Sequence, residues 1–274
     1  MSQAHLADRP EQAPGARDIV ALSAVSKIYA NGTLALKGFS LAVERGAFLS
    51  LLGPSGCGKS TALRLIAGLI APSAGHIAWP SSSIARRGLP AGEIGFVFQE
   101  PTLMPWRSVA GNVALPLMLK GVPEAEAEAR VTEILGAVGL ADFAEAYPRE
   151  LSGGMKMRVS IARALVTRPS LLLMDEPFAA LDEITRQKLN DDVLALWRQT
   201  GVTIIFVTHS VFESAYLSSR IVVMTPRPGR VHAELTLDTS AERNADYRTS
   251  EAYRVVTQQV SWALKAAMDS GGAA

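Results

Sequence analysis

The chain contains a single cysteine among 274 residues, which excludes a disulfide within the chain and a metal site built from several cysteines. A single cysteine suits a protein of a reducing compartment. An excess of charge of one sign is also missing, because 27 Lys and Arg residues balance 26 Asp and Glu residues, for a net charge of +1. Such a balance gives no general attraction to nucleic acid, so we predict no nucleic-acid partner.

The sequence also lacks a long apolar run of the kind that crosses membranes. Residues 65–85 carry no Asp, Glu, Lys or Arg, but two prolines, two glycines and four serines exclude a membrane span there. Residues 1–18 have no apolar core of a signal peptide and are predicted to form a disordered tail. If the protein works at a membrane, a partner must supply the channel.

Glycine, by contrast, is concentrated in the segment "GPSGCGKS", which places the P-loop pattern G-x-x-x-x-G-K-S at residues 53–60. The glycines allow backbone angles that turn successive N–H groups toward an anion. An apolar strand precedes this segment and an amphipathic helix is predicted over residues 59–69, so phosphate would meet a positive helix end. Lys59 would add a cation and Ser60 an oxygen ligand for Mg2+. We predict that the segment binds nucleotide phosphates.

Three further segments read as strands that end in polar residues. "LLLMDEP" ends in Asp175, which suits Mg2+, and Glu176, which suits a general base for an attacking water. "VTIIFVTHS" ends in His209, and "IGFVFQ" ends in Gln99, whose amide could contact Mg2+ or water. Because the carboxyl ends of parallel strands share one edge of a sheet, we expect these groups at the ligand-binding edge.

The segment "LSGGMKMRVSIARAL" offers a second place for an anion. Ser152 can cap a helix, and Gly153 and Gly154 leave backbone N–H groups accessible at its start. A simple helix cap would explain Ser152 but not the paired glycines in a chain that also has a P-loop.

The order of these patterns favours an α/β fold interrupted by helices. We predict a nucleotide-binding domain over residues 19–240, with strands around 19–27, 34–43 and 48–52 before the P-loop. A helical subdomain is predicted over about residues 100–165, and a helical extension over 241–274. The helix expected at Glu251–Met268 has one apolar face, which is interpreted as packing on its own domain. For Trp106, an exposed anchor for a partner and a buried core residue remain alternatives.

Together these motifs resemble those of the ATP-binding subunits of ABC transporters, over residues 19–235. Tyr29 resembles the adenine-stacking aromatic residue, "GPSGCGKST" the Walker A motif, Gln99 the Q-loop, "LSGGM" the signature, "LLLMDE" the Walker B motif, "ALD" at 180–182 the D-loop, and His209 the switch histidine. One departure is Met155, where the signature usually ends in glutamine.

The resemblance implies specific roles for residues. Those expected to contact ATP are Tyr29, Gly53, Pro54, Ser55, Gly56, Cys57, Gly58, Lys59, Ser60, Thr61, Gln99, Ser152, Gly153, Gly154 and Asp175. Three of these are also expected at Mg2+, namely Ser60, Gln99 and Asp175. Glu176 and His209 are the expected catalytic residues.

The resemblance also implies a RecA-like P-loop NTPase core with an N-terminal antiparallel β part and an inserted helical subdomain. ATP would lie between the P-loop of one subunit and residues 152–154 of a second ATP-binding subunit, either an identical copy in a homodimer or a different chain. The pair would dock on permease subunits at the cytoplasmic face of the inner membrane. An extracytoplasmic solute-binding protein would act indirectly.

Finer similarity lies in "LMPWRSVAGNVALPL", "LSGGMKMRV" and "VVMTPRPGRV", which resemble importers for nitrate, sulfonate, taurine, bicarbonate or pyrimidine precursors. A soluble ABC-type ATPase acting on nucleic acid or ribosomes is the alternative, but such relatives usually carry two ATP-binding modules or a long coiled coil. A GTPase is a weaker alternative, because the chain has no N-K-x-D motif for guanine.

Overall fold

The computed structural model describes residue 15 and residues 17–80 and 94–271, so most of the predicted tail lies outside the described residues. In chain order the strands are β1 (Asp18–Ile28), β2 (Leu34–Glu44), β3 (Phe48–Leu52), β4 (Ala74–Ala78), β5 (Ile94–Val97), β6 (Leu171–Asp175), β7 (Thr203–Thr208), β8 (Arg220–Met224) and β9 (Val231–Thr236). The helices are α1 (Lys59–Ile66), α2 (Val109–Leu119), α3 (Glu124–Ala137), α4 (Gly153–Leu165), α5 (Glu183–Thr200), α6 (Val211–Leu217), α7 (Ala245–Thr249) and α8 (Glu251–Gly271).

The chain forms two compact units. One contains residues 1–90 and 203–274 and is called the P-loop unit below; the other contains residues 91–202 and is called the inserted unit. The boundaries predicted for a helical subdomain, about 100–165, fall within the inserted unit and stay a prediction.

The N-terminal part of the P-loop unit is an antiparallel sheet with the order β2-β1-β4. Leu22 of β1 lies opposite Leu41 of β2 on one side and Ile77 of β4 on the other. In β2, buried Phe39, Leu41 and Val43 alternate with more exposed residues, as expected for an antiparallel sheet with one face on a core. The predicted antiparallel β part is therefore confirmed.

The P-loop follows the central strand of a second group of strands. β3 pairs in parallel with β7 and with β8, and β9 is antiparallel to β8. Every residue of β3 and of β7 is buried, which explains why both read as continuous apolar runs without alternation. The predicted α/β class is confirmed.

Helix α1 ends earlier than predicted. It stops at Ile66, whereas the apolar pattern had suggested a helix to Leu69. Gly68 has a φ of 69° and the Leu69 amide donates to the Arg64 carbonyl at 2.9 Å, which closes the helix. Leu69 is consequently 59% exposed instead of lying on the buried face.

In the inserted unit, β5 and β6 form a parallel pair, with Ile94 opposite Leu171 and Val97 opposite Met174. The four helices of this unit are α2, α3, α4 and α5. Both predicted strands are thus present, and the segment between them is mainly helical as predicted. Polar groups that follow β5 and β6 leave the strands at the same end, because the pair is parallel.

The C-terminal helix α8 packs on its own unit, as predicted. Val260 and Ala267 are fully buried in a cluster that also contains Leu52, the last residue of β3, and Val223 of β8. Among the described residues, no helix combines the length with the apolar character that crossing a bilayer requires.

Candidate nucleotide-binding site

Lys59 is the charged residue of the P-loop, and only 3% of its surface is exposed. Its Nζ donates to the carbonyl oxygens of Gly53 at 2.8 Å and Pro54 at 3.1 Å. These bonds hold the ammonium group inside the loop, at the N-terminus of α1. The cation expected to meet nucleotide phosphate is therefore fixed in place by the fold of the loop itself.

At Gly53 and Gly58 the loop has no space for a side chain, and the backbone angle at Gly58 also favours glycine. Gly58 has a φ of 108°, and a Cβ there would lie 2.8 Å from the Ala35 carbonyl oxygen. A Cβ at Gly53 would lie 2.9 Å from the Sγ of Cys57, which is 1% exposed. The Cys57 side chain thus fills the core behind the loop, and a nucleotide could meet only its backbone.

Other predicted residues surround the same loop. Ser55 and Gly56 are exposed and Ser60 is half-buried, so the rim of the loop is open to solvent. The Tyr29 hydroxyl and Thr61 Oγ1 are 3.1 Å apart, which places the Tyr29 ring beside the first turn of α1. Its role in stacking on adenine stays a prediction.

A turn formed by residues 225–230 supports the P-loop from outside, and this support was missed in the sequence. Arg227 Nε donates to the Gly56 carbonyl oxygen at 3.1 Å, and the Gly229 amide donates to the Ala35 carbonyl oxygen at 2.9 Å. A Cβ at Gly229 would lie 2.1 Å from the Cys57 carbonyl oxygen, so only glycine allows this approach. The letters "PRPG" signal a turn but not what the turn contacts.

His209 leaves the sheet beside the P-loop. Leu52 pairs with Thr208 in the parallel strands β3 and β7, so Gly53 and His209 follow neighbouring strand ends. The side chain of His209 is exposed, and its turn is closed by a hydrogen bond from Thr208 Oγ1 to buried Glu213. The sequence "SVFE" after His209 has capping-box spacing and could have revealed Glu213 in advance.

In the inserted unit the two predicted acids end β6. Asp175 is 9% exposed and is the last residue of the strand. Glu176 follows with a φ of 45°, a left-handed conformation that a residue with a side chain rarely adopts. Strain of this type costs about 1–3 kcal/mol and concentrates at functional sites. Ala24, Thr102 and Arg168 have similar φ values of 46–50° without a predicted role, so the role of Glu176 as base stays a prediction.

Gln99 is exposed and lies two residues beyond β5. The segment after it is held by Arg163 of α4, whose Nη1 donates to the Thr102 carbonyl oxygen at 2.9 Å and Nη2 to the Pro101 carbonyl oxygen at 2.8 Å. Burial lowers the pKa of the Arg163 guanidinium from its ordinary value. Sequence reasoning missed Arg163 because its partners are 61 and 62 positions away.

Ser152 caps α4, accepting a hydrogen bond from the Met155 amide at 3.3 Å. Ser152 and Gly153 are exposed, but Gly154 is buried and serves packing. A Cβ at Gly154 would lie 2.6 Å from Cγ2 of Thr185 in α5. The two glycines therefore differ in their environment, and contact with a phosphate stays a prediction for residues 152–154.

The residues predicted at Mg2+ have suitable chemistry. Ser60, Gln99 and Asp175 offer a hydroxyl, an amide and a carboxylate oxygen, and Mg2+ is held in nucleotide sites by few protein oxygens together with phosphates. Across the described residues, no group of three or more His, Cys, Asp or Glu side chains could bind a metal by itself. Ser60 belongs to the P-loop unit, and the other two belong to the inserted unit.

A parallel strand, a glycine loop around a buried lysine and a following helix define a P-loop NTPase. The sequence model of the ABC transporter family matches residues 36–179. The chain therefore belongs to the ABC transporter family, and it is an ATPase.

Relatives of this chain are ATP-binding proteins of import systems. A taurine import ATP-binding protein from Rhizobium johnstonii is 49% identical over 195 residues, which are 71% of this chain and 73% of that protein. An aliphatic sulfonates import ATP-binding protein from Bacillus licheniformis is 43% identical over 228 residues, 83% of this chain and 86% of that protein. These similarities give no support to the alternative of an ATPase acting on nucleic acid or ribosomes.

Two solved structures share the fold. The first, cbiO1 from Clostridium perfringens, is described as part of the ABC transporter complex cbiONQ; it has a TM-score of 0.73 and 31% identity, covering 80% of this chain and 89% of that one. The second is the ATP-binding cassette MJ0796 in a dimeric post-hydrolysis state with ADP and Pi. It has a TM-score of 0.67 and 34% identity, and the match covers 80% of this chain and 99% of that one.

Proposed function

We propose that this chain is the ATP-hydrolysing subunit of a membrane importer for a small sulfonate such as taurine. The observation that carries the proposal is a P-loop already closed around Lys59, in a chain that is 49% identical to a taurine import ATP-binding protein. The site described above is assigned to the nucleotide. Substrate recognition is therefore assigned to other subunits, including an extracytoplasmic binding protein that acts indirectly.

In this proposal Lys59 and the P-loop amides hold the ATP phosphates. Mg2+ supplies charge neutralisation at the phosphates, and Ser60, Gln99 and Asp175 would hold it. Glu176 accepts a proton from the attacking water, and His209 contacts the reacting phosphate from the neighbouring strand end. The residues thus divide the work into binding the nucleotide, binding the metal, and contacting the reacting water and phosphate.

We further propose that two identical copies face each other head to tail. Ser152 and Gly153 are exposed at the start of α4, where backbone N–H groups favour an anion. The exposed end of one copy would meet ATP held in the P-loop of the other. ATP then has affinity for the closed pair that it lacks for the open pair, so binding closes the dimer and hydrolysis reopens it.

A groove in the inserted unit is the proposed contact for the permease. It has a volume of about 780 Å3 and lies between α2 and α3, with an apolar floor that includes Ala114 and Val131. Three exposed glutamates, Glu124, Glu128 and Glu145, line its edge. An apolar groove with an acidic edge is complementary to a short amphipathic helix that carries basic residues.

The loop before α2 presents a second contact. Trp106 is 71% exposed, which decides against the alternative of a buried core residue. Its loop is braced by fully buried Asn112, whose Oδ1 accepts from the Met104 amide at 2.7 Å and whose Nδ2 donates to the Arg107 carbonyl oxygen at 3.1 Å. A large side chain held out on a braced loop is suited to anchor an interface. The protein would then sit at the cytoplasmic face of the inner membrane.

The test of the function is sulfonate uptake by cells in which this chain is replaced by Glu176→Gln. The variant should bind ATP and dimerise with it, but its turnover should fall by about 10²–10⁴-fold because the general base is lost. Uptake of labelled taurine should stop, and growth on taurine as sulfur source should fail while growth on sulfate continues. Uptake at the parent rate would contradict the proposal.

Docking is tested by reversing the charge of the groove edge in Glu124→Lys/Glu128→Lys. Both side chains are exposed, so folding should be retained. Association with the permease should weaken and ATPase stimulation by the permease should be lost, because like charges would meet. Glu126→Lys is the matched control, since Glu126 is exposed on α3 and pairs with Arg130 instead. Equal effects of both variants would argue against the groove.

A further inference from the structure

The C-terminal extension, predicted over residues 241–274 and described to residue 271, is tied to the end of α6 by buried groups. Arg243 is 4% exposed, and its Nη1 donates to the carbonyl oxygens of Tyr216 at 2.9 Å and Ser218 at 2.8 Å. In return, the Tyr216 hydroxyl donates to the Arg243 carbonyl oxygen at 2.9 Å. The guanidinium carbon of Arg248 lies 3.8 Å from the centroid of the Tyr216 ring. These reciprocal contacts make the extension part of the P-loop unit.

The extension also reaches the beginning of α6. Tyr253 of α8 is 9% exposed, and its hydroxyl donates to the Phe212 carbonyl oxygen at 2.9 Å. Val211, the first residue of α6, packs against the cluster that contains Val260 of α8. These two contacts fall on the second and third residues after His209. Helix α8 therefore contacts the backbone immediately beyond the predicted switch histidine.

The turn that carries His209 is connected to this point by hydrogen bonds. The Ser210 amide donates to Thr208 Oγ1 at 3.0 Å, and the Glu213 amide donates to Ser210 Oγ at 3.2 Å. In the chain, Phe212 lies between Ser210 and Glu213, so it belongs to the segment that these hydrogen bonds hold. A shift of the first turn of α6 would therefore move the backbone of His209, and with it the direction of an exposed imidazole.

We propose that Tyr253 is a positioning residue for ATP hydrolysis. Its hydrogen bond to Phe212 holds the first turn of α6 and, through that turn, the backbone of His209. The inference rests on the proposed role of His209 at the reacting phosphate. Tyr253 itself touches no reacting atom, and its effect on turnover passes through His209. The C-terminal extension then contributes to catalysis as well as to packing.

The test is Tyr253→Phe in the full chain, which removes one hydroxyl and keeps the ring. We expect kcat to fall by about twofold to tenfold, the change that one hydrogen bond supports, while the KM for ATP stays constant. Tyr247→Phe is the matched control, because Tyr247 lies in the same ring cluster, 5.4 Å from Tyr253, whereas the hydrogen bond to Phe212 belongs to Tyr253. A Tyr253→Phe protein with the parent kcat would overturn the inference.

A double-variant cycle separates this inference from the role of His209. If Tyr253 acts through His209, then His209→Ala and His209→Ala/Tyr253→Phe should have the same reduced kcat. Equal losses from Tyr253→Phe in both backgrounds would overturn the inference alone. A His209→Ala protein with the parent kcat would instead overturn the proposed role of His209, and the inference with it.

Amide hydrogen exchange gives a readout that does not depend on activity. Exchange at residues 210–213 should become faster in Tyr253→Phe and stay unchanged in Tyr247→Phe. Unchanged exchange in Tyr253→Phe would contradict the proposed path even if kcat fell.

Discussion

The lysine of the P-loop unit and the groups of the inserted unit that are predicted to face a partner differ in exposure. In the P-loop unit the central cation, Lys59, is 3% exposed and bonded to its own loop, and the turn at 225–230 supports that loop from outside. In the inserted unit Gln99, Ser152 and Gly153 are exposed, and internal contacts brace the segments that carry them. The cation expected at the phosphates is thus enclosed, whereas the groups expected to meet a second copy or a permease are exposed.

This difference follows from what each unit has to bind. A nucleotide phosphate needs a cation and amides already in place, because preorganisation reduces the cost of binding. A surface that meets a second copy or a permease must be exposed before the partner arrives. Arg163 behind the Gln99 segment and Thr185 against Gly154 show how the exposed groups are held from the inside. Variants in the two units should therefore fail in different ways.

The largest expected effect comes from Lys59→Ala. Loss of a buried, charge-assisted contact should weaken ATP binding by about tenfold to a hundredfold or more and reduce turnover to background. The carbonyl oxygens of Gly53 and Pro54 would also lose their donor, at a cost of about 1–3 kcal/mol in the free energy of unfolding. Fluorescent-nucleotide titration and chemical denaturation measure the two effects.

Lys37→Ala is the control for this variant, because Lys37 is an exposed lysine of the same unit. Its ATP binding should match the parent. If Lys59→Ala bound ATP normally, the view of the P-loop unit as a preformed grip would be wrong.

An intermediate effect is expected from paired serine variants in the inserted unit. Ser152 caps α4 and Ser108 caps α2 by the same type of hydrogen bond, to the amides of Met155 and Gly111. Each change to alanine should lower the free energy of unfolding by about 1 kcal/mol. Only Ser152→Ala should also reduce ATP-driven dimerisation and turnover, measured by light scattering and phosphate release. Equal turnover in the two variants would show that Ser152 is only a cap.

The smallest effect concerns acid stability in the inserted unit. Hydrogen bonds from Thr185 lower the pKa of Asp182, the cap of α5, below its ordinary value of 3.8. A lowered pKa contributes stability above pH 3.8 that is lost as the pH falls through the folded-state pKa. Asp182→Asn should keep the cap and flatten the decline of Tm below this pH. Parallel acid profiles for parent and variant would contradict the assignment.

Local patterns were sufficient for much of the fold and the site. The P-loop was predictable because its glycines, Lys59 and the adjoining strand and helix are neighbours in the chain. Strand ends at Asp175 and His209 were predictable because buried parallel strands read as apolar runs. The end of α1 was predicted wrongly, since the left-handed Gly68 outweighed the apolar pattern that continued to Leu69.

The sequence by itself therefore determined the class of the protein, the location of the P-loop and the polar residues that follow the parallel strands. Only the tertiary structure decided which residues support them. Arg227, Arg163 and Tyr253 lie far along the chain from the segments that they hold, at separations of 171, 61 and 41 residues. Their contacts depend on how distant strands and helices pack, and packing of this kind leaves no periodic or local signal for sequence reasoning to detect.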